Sequence, residues 1–565
     1  MARMLLKAAT SAALLFFDEP IRYLISYCTR GRAGLRMSRI LNAVRRWLQN
    51  PVILLALIAG LGAFVVQSGE LGSADTMHRL QTTHSWWTPQ PEVFPDEFPE
   101  FGIHGVGGRL HSWYGMGQSL LMFPVDLTGS AVEQLSFFAD YEGTDPSVRS
   151  IVVSYCTNIF VNVLTALVCF RLLRQLGFSL DQSVAGVLAL LFCTTHLHYT
   201  QNMMENNYIM LLVLTGFSFQ YDWLRTGSQR VLLLGSAAFG LNLLTRLTTG
   251  LDLIAGGFFL LLVLWLEREG RREFWQRVLA YTKIAAPVYF AFLLIDRLYQ
   301  HCRFGSYWNT YVSVFAQEYK SRYSNLPANY PWETPFHIGF LGALFKPEKS
   351  IFLFDPLLLL TIIVGSLVWR FLRADVQAYL ITTFLLLLAY ISFYARYTVW
   401  SGDFAWGDRY VSTAAELAAF ISLPLLLRYR MNLGSALWAF GVALVAVSAL
   451  IQVASVMFWL PLEIYQMETW GHPTFVIALR FKNIAAFALG KREAWGLDTT
   501  AMHWDPWDYV HITTWNLLPF LLRRVGVAPR WVVYLVFAVW GAALSALAWT
   551  LVKLRRVSAV AEPRR

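Results

Sequence analysis

A succession of apolar runs, each long enough to cross a bilayer, constrains this chain more than any other feature. Crossing about 30 Å of hydrocarbon takes roughly 17–25 residues of apolar helix. Such runs fall near 51–68, 151–172, 183–200, 207–223, 231–245, 249–266, 278–295, 351–370, 377–394, 411–427, 434–459 and 531–552, about twelve spans by that criterion. Residues 119–138 are also apolar, but Pro124, Asp126 and Glu133 interrupt them. An acid at mid-span costs about 2.5–3.5 kcal/mol, so this stretch is read as loop. The expected fold is an all-α polytopic membrane protein with about twelve transmembrane helices and elaborated external loops.

Charge usage agrees with this. Of 565 residues, 56% are hydrophobic and only 15% charged, where a soluble domain carries about 25% charged residues. A soluble protein of this length would divide into several domains, each needing its own charged surface. A soluble enzyme, a disordered chain and a disulfide-stapled secreted scaffold are therefore excluded. The five cysteines show no CxxC pair or metal-ligand spacing.

The net charge of +10 then sets the orientation, because Lys and Arg concentrate in cytoplasmic loops. With the N-terminus inside, the inner loops hold Arg45 and Arg46, Arg171 and Arg174, and Arg225 and Arg230. Further along they hold Arg268 to Arg277, Arg370 and Arg373, Arg428 and Arg430, and Lys553 to Arg556. Both termini are expected in the cytoplasm. The layout is a basic N-terminal segment (1–50), a transmembrane bundle (51–459) with external segments 69–150 and 296–350, an external segment 460–530, and a last helix with a basic tail (531–565). Segment 1–50 reads equally as an Arg-rich amphipathic helix on the inner leaflet or as a plain extension.

Polar residues crowd the external side. Asp75 lies just beyond the first run. A carboxylate there can act as general base, although local chemistry favours an N-cap for the helix-like stretch that follows. Between Gly107 and Pro124, Gly115 and Gly117 would let amides approach an anion, and Arg109 and His111 would pair with it. Tight turns use the same glycines. Glu205, Asn206 and Asn207 form a polar cluster that suits either a cavity or a solvated turn. His196 and His198, two apart on a helix, face away from each other and are not read as metal ligands. Arg246, Arg303, Lys346 and Lys349 stand outside against the charge rule, as do Arg396 and Arg409 beside Asp403 and Asp408. Converging cations suit a phosphate; structural ion pairs with Asp403, Asp408 and Glu348 are the alternative.

The order of these segments carries a family resemblance. An acid after the first span is followed by GRLHSWYGMGQSLLMFP, YTQNMMENN, LLTRLTT, RFGSYWNTY, LFKPEKSIFLFDPLLLL and WSGDFAWGDRY. Over about residues 50–430 this resembles the GT-C membrane glycosyltransferases that use polyprenyl-phosphate sugars, in their bacterial protein-mannosyltransferase-like branch. The resemblance implies inverting transfer from a lipid-phosphate sugar to a glycan, lipid or protein acceptor at the outer face of a bacterial inner membrane. It makes Asp75 the general base and assigns Arg409, Lys346, Lys349, Arg246 and Arg303 to the carrier phosphate. Many relatives have a Lys-Pro-Pro element where this chain reads SWYGMG, which makes His111 a replacement candidate. Many also have a second acid in the first loop, where Thr76 stands here. Glu205, Tyr114, Trp113 and Asp408 are assigned to sugar or acceptor. No cofactor is expected, metal dependence stays open, and the partners are lipid-linked donor, acceptor and membrane lipid, with no nucleic acid.

Two rivals remain. A twelve-helix transporter or flippase would show related halves and midplane polar groups; the halves look unrelated here, and the spans carry few charges. An O-antigen ligase-like enzyme would need a large basic loop late in the chain, and 460–530 is only modestly basic.

Overall fold

The computed structural model describes residues 49–95, 102–141, 143, 146–268, 270–402, 405–459, 462–463, 466–467, 474–491 and 514–561. The expectations for segment 1–50, for Asp403 and for most of 460–530 fall outside these residues.

Helices dominate, and the chain is an all-α polytopic membrane protein. Among the described residues six helices are long and apolar enough to cross a membrane: Val148–Gln175, Leu247–Leu266, Arg271–Phe304, Ala374–Tyr394, Arg430–Ser455 and Arg530–Ser558. Shorter apolar helices, including Pro51–Val66 and Leu180–Cys193, fill in between them. A two-stranded hairpin, β1 (Gly102–His104) with β2 (Leu110–Ser112), lies in the first long connection.

The helices that carry the site are the following. α1 (Pro51–Val66) starts with the Asn50 side chain accepting from the Val52 amide and with proline at its first position, which suits a residue that has no N–H to satisfy. α2 is Ala74–Ser85, α3 Met116–Glu133 and α4 Val148–Gln175. α5 (Leu180–Cys193), α6 (His196–Gln201), α7 (Asn206–Thr226) and α8 (Gln229–Thr245) follow. α9 (Gly250–Leu266) and the 34-residue α10 (Arg271–Phe304) come next. α11 (Tyr311–Arg322), α12 (Phe336–Phe345), α13 (Ile351–Phe354), α14 (Leu357–Val368) and α15 (Ala374–Tyr394) lead to α16 (Ser412–Ala419), α17 (Ser422–Arg428) and α18 (Arg430–Ser455). One large apolar core runs from Leu54 and Leu55 of α1 through α4, α5, α7, α9, α14, α15 and α16.

Several expected spans are broken. The run 183–200 divides into α5 and α6 at Thr194, which is extended. The run 351–370 divides into α13 and α14 at Asp355, because Pro356 pushes the residue before it out of the helical region. The run 411–427 divides into α16 and α17.

The loop expected at 119–138 is a correction: most of it is α3, with Pro124 inside. Asp126, fully buried, accepts from Trp87 Nε1 at 2.9 Å and Arg149 Nε at 2.6 Å. Its other contact is His84 Nδ1 at 3.0 Å; a carboxylate only accepts, so that ring nitrogen carries the proton. With those partners the acid no longer opposes a helix. Within the expected external segment 296–350, α10 runs on to Phe304, and α12 adds an apolar helix.

Candidate active site

Asp75 is not an N-cap. Ser73 takes that place, in an extended conformation, accepting from the Thr76 amide. Asp75 thus sits in the first turn of α2 with its side chain free to reach across the molecule. Asp75 Oδ2 meets Arg409 Nη1 at 2.7 Å, and Tyr114 donates its hydroxyl to Oδ1 at 2.6 Å. Thr76 fastens the same turn to the α6–α7 junction through the Met203 carbonyl at 2.6 Å.

Gly115 and Gly117 bring Tyr114 into place by close packing. A Cβ on Gly115 would lie 2.4 Å from the Leu244 and Thr245 carbonyl oxygens, and one on Gly117 would lie 2.2 Å from Thr245 Oγ1. The start of α3 therefore rests directly on the end of α8, next to Arg246, and these glycines serve helix contact where an anion-binding turn was expected.

Glu205 is the second carboxylate of the site. It lies at the start of α7, almost fully buried, between Arg79 Nη1 at 2.8 Å and the Arg246 guanidinium. Arg79 stands four residues after Asp75 on α2, so the two share a helix face. Its guanidinium lies 4.3 Å from the centre of the Tyr114 ring, a cation–π geometry. Arg246 and Arg409 approach the Tyr410 ring at 5.2 and 5.3 Å. Asn206 holds the turn by donating to the Arg409 carbonyl and to Ser412 Oγ, both at 2.7 Å. Asn207 instead ties α7 back to α6, at the His196 carbonyl and Thr200 Oγ1.

The site gathers three guanidiniums, Arg79, Arg246 and Arg409, around two carboxylates, Asp75 and Glu205, and so keeps one excess positive charge. Burial raises the Asp75 carboxyl, but the charges of Arg409 and Arg79 outweigh it and hold the group below the usual carboxylate range. Glu205 is held well below that range: burial opposes ionisation, and Arg79 and Arg246 overcome it. Burial disfavours the Arg409 and Arg246 charges, yet Asp75 and Glu205 respectively fix them as cations. Burial also raises the Tyr114 hydroxyl, with the Asp75 charge adding to it, so the phenol stays a donor.

The remaining candidates distribute differently. Lys349 is buried and donates to the Ala405 and Gly407 carbonyls at 2.9 and 3.2 Å, bracing the turn that presents Arg409. Asp408 accepts from the Tyr410 amide at 3.1 Å, and burial pushes it up to about 7 against the pull of Lys349. Lys346 pairs with Glu348 at 2.8 Å and is 49% exposed. Arg303 and His111 join neither Asp75 nor Glu205. Both bind Glu92, at 2.5 and 3.2 Å, and Arg303 also takes the Ser112 carbonyl. This second cluster adjoins the first through Ser112, whose hydroxyl meets Thr82 of α2 at 2.8 Å. Trp113 packs its ring edgewise against Phe315 at 5.1 Å and beside Tyr114 at 5.6 Å.

Arg79, Glu92 and Tyr410 belong to these clusters and were not among the expected residues. The four-residue step from Asp75 to Arg79 was the one readable signal. Among the described residues no group of three or more His, Cys, Asp or Glu side chains is placed to hold a metal ion.

No protein-family model matches the chain, and no curated protein does. Solved structures similar to it include two membrane proteins. One is the Archaeoglobus fulgidus oligosaccharyltransferase tethered to an acceptor peptide containing the NVT sequon, with a TM-score of 0.43 and 14% identity over 76% of this chain. The chain spans 55% of that protein's length. The other is ArnT from Cupriavidus metallidurans bound to undecaprenyl phosphate, with a TM-score of 0.40 and 12% identity over 90% of this chain and 77% of that one. Likenesses this loose carry no functional argument, which rests on the site itself.

Proposed function

We propose that this chain is an integral-membrane glycosyltransferase of the GT-C type, moving a sugar from a polyprenyl-phosphate carrier to a glycan, lipid or protein acceptor with inversion. The supporting observation is the Asp75 carboxylate held 2.7 Å from Arg409, in a cluster whose three arginines exceed its two carboxylates by one. A base and an anion-stabilising cluster side by side are what this transfer requires. Asp75 takes the proton of the acceptor hydroxyl as its oxygen attacks the anomeric carbon. The bond from that carbon to the phosphate oxygen breaks, and the leaving phosphate draws the guanidiniums of Arg409 and Arg246. Cations already in place cost no reorganisation as that charge grows.

Because Arg409 is shared between base and leaving group in this reading, arrival of the phosphate loosens its hold on Asp75 and strengthens the base. Glu205 keeps Arg79 and Arg246 oriented toward the site. Lys349 and Asp408 support the Arg409 turn, while Glu92, Arg303, His111 and Trp113 line the adjoining region as an acceptor-side candidate. The expected sidedness belongs to the same proposal: a bacterial inner membrane, both termini in the cytoplasm and the site outside.

The test is to incubate purified protein with labelled polyprenyl-phosphate sugars and follow the label. Label leaving the carrier for an acceptor supports the reading. Solute counterflow in liposomes without label transfer would favour a transporter.

A further inference from the structure

A second polar group lies inside the bundle, away from the arginines. It forms where two helix breaks meet a third helix: Thr195 between α5 and α6, Asp355 between α13 and α14, and Glu416 inside α16. All three are 2% exposed or less. Thr195 presents its amide to Asp355 Oδ1 at 2.7 Å and its hydroxyl oxygen to Asp355 Oδ2 at 3.0 Å. The same hydroxyl oxygen lies 2.7 Å from Glu416 Oε1. A threonine hydroxyl has one hydrogen and can donate only once. Two ionised carboxylates cannot both be satisfied by it, so one of these contacts needs a further proton, supplied by the acid.

The geometry also says which acid carries it. Asp355 already receives an N–H on one oxygen and is placed for the Thr195 O–H on the other. Among the described residues no backbone N–H is bound to Glu416 in this way; its hydrogen-bond contact is the Thr195 hydroxyl. Beyond it stands His196, fully buried, with Nδ1 3.8 Å from Glu416 Oε2 and without a hydrogen-bond partner. Asn162 fixes the tautomer of that ring. Its amide nitrogen donates to the Ala59 carbonyl at 2.7 Å, so its oxygen faces His196 Nε2 at 2.9 Å and accepts from it. Nε2 therefore carries a hydrogen, and Nδ1, at 3.8 Å, is too far to donate one to Glu416.

We infer that Asp355, Thr195, Glu416 and His196 form a proton-binding site within the membrane bundle. Glu416 is the neutral acid, donating to Thr195, which donates to the Asp355 carboxylate. The titratable groups around it are Asp355, His196 and Tyr199, and Tyr199 also feels the charges of Arg409 and Asp408. Gln452 and Ser448 of α18 face neighbouring carbonyls, of Phe354 and Cys193. Among the described residues no Lys or Arg forms an ion pair with Asp355 or Glu416; Lys349 and Arg409 are engaged at the turn carbonyls and at Asp75. The O···O spacings are those of hydrogen bonds. Loss of the proton would leave two anions on one hydroxyl and force the breaks apart. α16 begins three residues after Arg409, and α6 leads into Glu205, so the proton reports on both halves of the arginine cluster.

The experiment is infrared spectroscopy of the full-length protein at neutral pH, in light and heavy water, for wild type and Glu416→Gln. Glutamine matches the protonated acid in shape and can donate to Thr195. The expected result is a protonated-carboxyl band that shifts with deuterium and is missing from Glu416→Gln. Wild-type thermal stability should decline with rising pH, because the folded protein keeps a proton the unfolded carboxyl releases, and Glu416→Gln should lose that decline. Identical carboxyl bands in the two proteins would overturn the inference. So would a Tm in wild type that depends on sodium and loses that dependence in Glu416→Gln, which would make the ligand a monovalent cation. If Glu416→Gln does not accumulate, Thr195→Val is read instead: the band should move as its acceptor is lost, and an unmoved band would overturn the assignment.

Discussion

Asp75 and Arg409 stand 334 residues apart in the chain and meet at 2.7 Å. Neither could be placed by its own neighbourhood. Asp75 reaches the contact because Ser73 caps α2 in its stead, and Arg409 because Lys349 and Asn206 hold the turn before α16. The pair joins two distant parts of the sequence that the catalytic proposal needs together.

Removing Arg409 should weaken the donor before anything else. A hydrogen bond to a charged group contributes about 1.5–3 kcal/mol, so Arg409→Ala should raise the carrier Kd roughly 10- to 100-fold. Arg409→Lys should recover only part, since an ammonium lacks the planar fork that takes phosphate with two bonds. Titration with labelled carrier lipid measures both; unchanged affinity in Arg409→Ala would make the pair purely structural.

The pH profile carries a sign. The Asp75 carboxyl is held below its usual range, so the base is ionised and the rate flat with respect to it above about pH 5. Arg409→Ala removes the largest opposing charge and leaves Arg79 and Tyr114 alone against burial, so the acid limb should move up by about 1–3 pH units. In the fold, the same depressed carboxyl stabilises above its unfolded value of about 3.9. That contribution is lost as pH falls through the folded value. Rate measurements against pH in both proteins check the first part, and acid unfolding the second.

Glu205→Gln should cost stability. It leaves Arg79 and Arg246 buried without their carboxylate, and breaking a buried pair on one side costs about 3–5 kcal/mol. A thermal unfolding series in detergent should show a clear drop in Tm.

The two lysines of the FKPEKS segment should behave oppositely. Lys346 pairs with Glu348 at a half-exposed position, and Lys346→Ala should stay within about 0.5 kcal/mol. Lys349→Ala strands the carbonyls of Ala405 and Gly407, at about 1–3 kcal/mol for an unsatisfied buried group, and should lower transfer through the displaced Arg409 turn. Stability and turnover of the two variants together separate the roles.

Fold class was legible because membrane-length apolar runs leave few alternatives. The breaks were not: next to Thr194 and at Asp355 the chain departs from the helix where Thr195 and Asp355, 160 residues apart, bind each other. Asp126 misled for a related reason, since its cost vanishes only once His84, Trp87 and Arg149 surround it. Asp75, Glu205, Arg246 and Arg409 were picked out one by one, and the structure brings them together. Arg303 and His111 were picked out in the same way but serve Glu92, and external placement alone could not separate the two groups. Arg79 was passed over because an arginine on a short helix looks like solvent-facing charge until Glu205 arrives from another segment.

The most direct measurement compares wild type with Asp75→Asn for transfer of labelled sugar and for binding of the lipid carrier in the same preparation. Asparagine can still accept from Tyr114, so the fold and the carrier site should persist. General-base catalysis contributes about 10²–10⁴ in rate. The expected result is a turnover lower by about that factor with carrier affinity within a few-fold of wild type. Full turnover in Asp75→Asn, in protein that binds the carrier normally, would contradict the assignment of Asp75 as the base.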